Sequence, residues 1–147
     1  MYLFSDEYFM DQALQEAQLA FDKGEVPVGA VVVCQSIIIA RSHNLTEHLH
    51  DATAHAEMQA ITAASHHLNS KYLAQCTLFV TLEPCLMCAG ALAWSQMGKV
   101  VWGANDPKNG FDTKNNIHLH PKTETVCGIY AQKSIDLLQA FFRRRRF

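Results

Sequence analysis

Two short apolar runs separated by only two residues constrain this chain most. Ala30 to Cys34 and Ile37 to Arg41 flank Gln35-Ser36, which predicts two neighbouring strands around a turn. Their continuous apolar character predicts strands covered on both faces. Cys76 to Leu82 and Lys99 to Gly103 read as further strands, and Thr123 to Cys127 as a short one. Helices alternate with them. Ser5 can cap a helix running to about Lys23, with Met10, Ala13, Leu14, Ala17 and Phe21 on one face and Gly24 as a stop. A second helix is expected over Ala54 to Leu68. A third, with Pro84 in its first turn, is expected to reach about Gln96. A last helix covers about Ala131 to Arg146, with Ile135, Leu138, Phe141 and Phe142 on its apolar side. This alternation predicts a two-layer or three-layer α/β domain around one mixed sheet.

The totals narrow the class. With 147 residues, 49% apolar and 18% charged, the chain is expected to form one globular domain, residues 1–147, and not a disordered segment. No linker, repeat or low-complexity stretch divides it. The longest apolar runs are too short to span a bilayer. The first seven residues meet acid at once and lack a basic n-region, so the expected location is the cytoplasm. Five cysteines is an odd count. Cys34, Cys76 and Cys127 read as buried free thiols in a reducing compartment. The formal charge of −2 argues against general affinity for nucleic acid but leaves room for a local basic patch, Arg143 to Arg146.

The chemistry concentrates in Leu82-Glu83-Pro84-Cys85-Leu86-Met87-Cys88, read with His55-Ala56-Glu57. Cys85 and Cys88 are spaced to share one face of a helix, in its first turns, where the dipole favours thiolates. His55 supplies a third ligand from another helix start, which gives a zinc site with one position open to water. Glu57 is the acid/base candidate. Residues two apart do not share a helix face, so His55 and Glu57 reach one site only near a helix end. A redox pair or half of a structural zinc site remain alternatives for the cysteines, and a solvated helix carboxylate for Glu57. The combined H-A-E…P-C-x-x-C pattern favours the zinc-deaminase signature over each of them.

Val26-Pro27-Val28-Gly29-Ala30, Thr53-Ala54-His55-Ala56-Glu57 and Thr81 to Ala91 resemble the cytidine deaminase superfamily and, within it, the bacterial tRNA-specific adenosine deaminases. The resemblance covers almost the whole length. It implies a three-layer α/β/α domain with a central mixed sheet of about five strands, a homodimer, one zinc ion per subunit, and conversion of adenosine to inosine at the wobble position of a tRNA anticodon. It implies that His55, Cys85 and Cys88 hold zinc and that Glu57 shuttles the proton. It further implies that Asn44 hydrogen-bonds the base and that Asp106 lies near the substrate strand. Asn44 is otherwise an ordinary loop residue, and Asp106 an aspartate forming a turn before proline.

Two features bear on the substrate. Trp94 and Gly110-Phe111-Asp112 are similar to free guanine deaminases of the same superfamily; Trp94 reads either as core or as a pocket wall that stacks on a purine. The arginine run leans toward RNA, because phosphate contacts dominate nucleic-acid affinity. Arg143, at the end of the helix anchored by Phe141 and Phe142, is the candidate contact. The expected function is therefore tRNA adenosine deamination. The alternatives are a free nucleobase or nucleoside deaminase, guanine first, and a non-catalytic zinc-stabilised module that binds nucleic acid.

Overall fold

The computed structural model describes residues 4–113 and 119–145. The expected hairpin is present: β1 (Gly29–Cys34) and β2 (Ile37–His43) run antiparallel. Gln35 and Ser36 between them both take positive φ, 52° and 64°, the turn geometry that matches the twist of paired strands. β3 (Cys76–Leu82) adds antiparallel to the other side of β1. β4 (Lys99–Ala104) and β5 (Glu124–Cys127) extend the sheet in parallel. The order is β2-β1-β3-β4-β5, a mixed sheet of five strands.

Helices cover both faces. α1 (Asp6–Asp22) and α4 (Ala131–Arg144) lie on one side, and α2 (Ala56–Leu68) and α3 (Leu86–Ser95) on the other. The three-layer form of the expectation therefore holds. Strand alternation sorts the core into two halves. Ala30, Val32, Leu78, Val80, Val100 and Trp102 face α2 and α3, while Val31, Val33, Phe79 and Val101 face α1. Burying each large apolar side chain among them is worth about 1.5–3 kcal/mol. The helices meet the sheet through small residues. Ala13, Ala17 and Ala20 of α1 and Ala56, Ala60 and Ala64 of α2 are fully buried, so both helix backbones approach closely.

Several boundaries differ from the sequence reading. α1 matches it, with Ser5 Oγ accepting the Tyr8 N–H at 3.1 Å. α2 starts two residues late, because His55 is an extended N-cap (φ −69°, ψ 156°). α3 starts at Leu86 with Cys85 as its extended N-cap, so Pro84 precedes the helix and does not sit in its first turn. In the Asn105 to Lys122 loop, residues 111–113 form one 3-10 turn and residues 114–118 lie outside the described residues. Arg146 also lies outside them. Of the three cysteines expected to be buried, only Cys76 is; Cys34 is half-buried and Cys127 is exposed, because it sits on the sheet-edge strand β5. No helix among the described residues is long and apolar enough to cross a membrane.

Gly29 opens β1 where α1 crosses it. A Cβ there would collide with the Ala13 carbonyl oxygen and the Ala17 nitrogen. Both are helix backbone and cannot rotate away. Gly29→Ala is expected to lower the free energy of unfolding by about 1–3 kcal/mol or more, read from the urea midpoint at unchanged m-value.

Candidate metal centre and substrate cavity

The three candidate ligands converge where α2 and α3 begin, beside the C-terminal end of β3. His55 Nδ1 lies 3.6 Å from Cys85 Sγ and 3.5 Å from Cys88 Sγ, and the three ligand atoms all fall within 4.8 Å of one another. Zn–S bonds of about 2.3 Å and Zn–N bonds of about 2.0–2.1 Å give a tetrahedral N···S edge of about 3.6 Å. The donor set and its spacing thus fit a tetrahedral zinc ion with one position left over. Nδ1 is the ring atom that faces the sulfurs.

Local electrostatics favour the thiolate at Cys85 and oppose it at Cys88. A hydrogen bond from Cys88 brings Cys85 down to about 4, helped by His55 and the Cys88 N–H against the opposing effect of burial. Cys88 is raised, first by sharing its proton with Cys85 and then by burial. His55 is raised by its hydrogen bond to Cys85. Both ligands at helix starts sit at the positive ends of helix dipoles.

Glu57 lies in the first turn of α2 and is 4% exposed. Burial pushes its carboxyl up to about 7, with His55 opposing. The difficulty that residues two apart face different ways is resolved by the helix boundary. His55 is the extended cap and Glu57 the second helical residue, so both reach the same cavity. That cavity has a volume of about 520 Å³ and is lined by His55, Cys85, Glu57, Asn44 and Asp106 among others. Val26, Val28, Leu82, Leu86 and Met87 supply its apolar wall. The volume suits a small organic ligand such as a nucleoside.

Asn44 is 7% exposed and its Nδ2 points at Glu25 Oε1 and Thr46 Oγ1, 3.4 Å from each. Asp106 lines the cavity and also shapes its own turn, accepting the Lys108 and Asn109 N–H groups at 3.1 Å each. Two other candidates lie elsewhere. Trp94 is 85% exposed and is neither core nor cavity wall, because Cys88, Ala89, Leu92 and Ser95 take the buried side of α3. Arg143 lines a separate cavity under α4 with Leu82, Asn105 and Phe142; Leu82 belongs to both, so the two abut. Phe141 is the buried anchor of α4, while Phe142 is 47% exposed. Arg144 stacks over Phe21, and Arg145 stacks over Phe141 and donates to the Gly24 carbonyl. Arg143 thus lies in the cavity under α4, while Arg144 and Arg145 pack against the end of α1 and against Phe141.

Two buried carboxylates escaped the sequence reading. Glu83 accepts the Asp106 N–H at 2.9 Å and the Asp112 N–H at 2.8 Å, tying that loop across the start of α3. Gly110 fits there because a Cβ would collide with the Glu83 carboxylate. Glu25, fully buried, accepts the Glu47 N–H at 3.1 Å, the His48 N–H at 2.8 Å and the His48 ring at 2.7 Å. Their partners are mostly backbone groups more than twenty residues away, which carry no residue-type signal. The position of each beside a recognisable stretch, Glu25 before Val26-Pro27 and Glu83 before Pro84-Cys85, is the one hint.

Comparison with known proteins gives consistent relatives. The MafB19-like deaminase family matches residues 4–146. A tRNA-specific adenosine deaminase of Aquifex aeolicus is 56% identical over 145 residues, covering 95% of each chain. That of Bacillus subtilis is 46% identical over 96% of this chain and 91% of its own. A solved structure from work on A-to-I editing by tRNA:A34 deaminases superposes with a TM-score of 0.82 at 39% identity, covering 89% of this chain and 99% of that one. A guanine deaminase structure from Bacillus subtilis gives 0.66 at 33% identity over 76% of this chain and 69% of its own.

Burial acts to raise Glu25, but the hydrogen bonds from His48 and Glu47 outweigh it and hold the carboxyl below its ordinary value of 4.5. A depressed folded-state value means stabilisation present above 4.5 and lost as pH falls through the folded value. Glu25→Gln is expected to be less stable at pH 7 by about 1–3 kcal/mol. The gap to the unaltered protein should close as pH falls below 4.5, measured by urea unfolding across a pH series.

Proposed function

Because the chain belongs to the family of tRNA-specific adenosine deaminases, we propose that it hydrolyses adenosine to inosine at the wobble position of a tRNA anticodon in the cytoplasm, using one zinc ion per subunit. The observation that carries this reading is the tetrahedral His55, Cys85, Cys88 edge geometry beside a buried Glu57 in a nucleoside-sized cavity. A structural metal site has no need of a buried acid at its open side.

Bound zinc lowers the pKa of a water to about 7, which supplies a nucleophile at neutral pH. Glu57 does the proton work, and it does so as a residue off the metal. It takes a proton from the attacking water and passes it to the purine ring nitrogen next to the amino-bearing carbon. That carbon becomes electrophilic, the carbon–oxygen bond forms, and Glu57 transfers the second water proton to the amine. The carbon–nitrogen bond breaks and ammonia leaves, so adenosine and water give inosine and ammonia. Asn44 holds the base edge, and the apolar wall of Val26, Val28 and Leu82 excludes bulk water from the proton path. The base enters flipped out of the anticodon loop.

Asp106 and Arg143 are assigned to the strand that continues from the flipped base. The cavity bearing Arg143 shares Leu82 with the deamination cavity, so a neighbouring nucleotide has a place beside a cation. A homodimer completes the proposal. Leu86, Gly90 and Trp94 recur every four residues along α3, and Leu86 and Trp94 are 42% and 85% exposed, a surface that a second copy would cover. Such an interface would run along the flank of the cavity, which Leu86 also lines, and would cover Trp94 there.

The deciding experiment offers zinc-loaded protein a tRNA anticodon stem-loop carrying wobble adenosine and, separately, free guanine, and measures inosine and ammonia. Inosine from the stem-loop is expected; ammonia from guanine alone would overturn the proposal. Glu57→Ala is expected to keep zinc and fold while losing at least about 10²–10⁴-fold in turnover. Arg143→Ala is expected to weaken stem-loop binding and to flatten its salt dependence by about one unit of log–log slope, measured as affinity across a salt series.

A further inference from the structure

We infer that Glu25 is a positioning residue, whose buried carboxylate fixes the amide of Asn44 and the 44–48 segment at the rim of the cavity. The inference rests on the proposed contact between Asn44 and the base. Glu25 follows α1 and is fully buried. The hydrogen-bond contacts of its carboxylate among the described residues all go to one short segment: Asn44 Nδ2 and the Glu47 N–H on Oε1, the His48 N–H and ring on Oε2. None goes to the metal ligands or to Glu57. A buried charge ordinarily needs a paired and equally enclosed partner, but His48 is half-exposed. Glu25 therefore faces a loop whose cavity-lining members are Asn44 and Thr46.

Charge chemistry gives the contact its direction. A carboxylate only accepts hydrogen bonds, whereas an amide both donates and accepts. With Glu25 ionised, Asn44 must turn Nδ2 toward it, since the flipped amide would set two oxygens together. Thr46 Oγ1, also 3.4 Å from Nδ2, can donate or accept, so the selection falls to Glu25. The backbone is held as well, because the Asn44 N–H donates to the Val28 carbonyl at 3.1 Å. Glu25 thus selects one of two nearly isosteric orientations of the residue that meets the base. A misplaced contact at a reacting site lowers the rate even when the ligand still binds.

A merely structural clasp would also lose stability on substitution, so the test is a double-mutant cycle. Full-length zinc-loaded protein carrying Glu25→Gln, Asn44→Ala or both is assayed on the stem-loop, with rates normalised to bound zinc and melting temperatures recorded separately. The Glu25→Gln substitution replaces one carboxylate oxygen with an amide donor, set against donors that the native side chain accepts. Glu25→Gln is expected to lower kcat/KM by about tenfold or more. The double variant is expected to be no worse than Asn44→Ala within about twofold, since the two act through one contact. Effects that multiply, or a Glu25→Gln enzyme at full kcat/KM, would overturn the inference and leave the Asn44 contact standing. An Asn44→Ala enzyme at full kcat/KM would overturn both. If Glu25→Gln fails to fold, Glu25→Asp enters the same cycle. It keeps the charge but is one methylene short of the amide, and the same outcomes decide.

Discussion

The molecule depends on the meeting of two helix starts that lack ordinary caps. α1 is capped by Ser5 in the usual way, but the N-caps of α2 and α3 are His55 and Cys85, and neither side chain caps its own helix. A serine, threonine or aspartate at such a position is commonly worth about 0.5–2 kcal/mol. Here that stabilisation is given up twice so that an imidazole and a thiolate can turn toward each other. The uncapped N–H groups and the positive dipole ends then converge on one point. This favours a centre carrying anionic sulfur, in addition to the hydrogen bond from Cys88 that brings Cys85 down to about 4. Stability of the two helix ends and competence of the site are thus linked at the same atoms.

The sheet holds those helix starts in place. β3 leads through Glu83 and Pro84 into Cys85, and β1 pairs with β3 along its length, so the Val28-Gly29 entry and the cysteine helix share one edge of the molecule. Alanine stripes on α1 and α2 let both helices sit close to the sheet, and Gly29 removes the last obstacle under α1. Around the site, the protein uses buried carboxylates in place of regular structure. Glu25 gathers one rim segment and Glu83 the other, each by accepting backbone N–H groups that would otherwise be buried unpaired.

Much of this was legible in the chain. Every α-helix and strand was anticipated, the first and last helices from their helical spacing and the hairpin strands from short, continuous apolar runs around a turn. The ligand set was legible because its spacing encodes the geometry: Cys85 and Cys88 must be neighbours wherever a helix starts at Leu86. The reading of α2 failed by two residues, since nothing in Thr53-Ala54-His55 marks His55 as extended. Trp94 was misjudged because a large aromatic near a metal motif suggests a wall, and only the packing of α3 reveals which side it takes. Cys127 was misjudged because an apolar neighbour, Val126, does not reveal that its strand lies at the edge of the sheet. Glu25 and Glu83 were missed because their partners are mostly main-chain atoms, which are the same in every residue.

The two N–H groups held by Glu83 belong to Asp106 and Asp112, so the segment between them is a closed ring pinned at both ends to the strand that leads into the metal helix. The same segment also bridges to Cys85 through Gly110, and Asn109 between the two pins lines the cavity. One carboxylate thus ties the shape of the rim to the backbone of a candidate metal ligand, so a substitution that loosens Glu83 would disturb both at once.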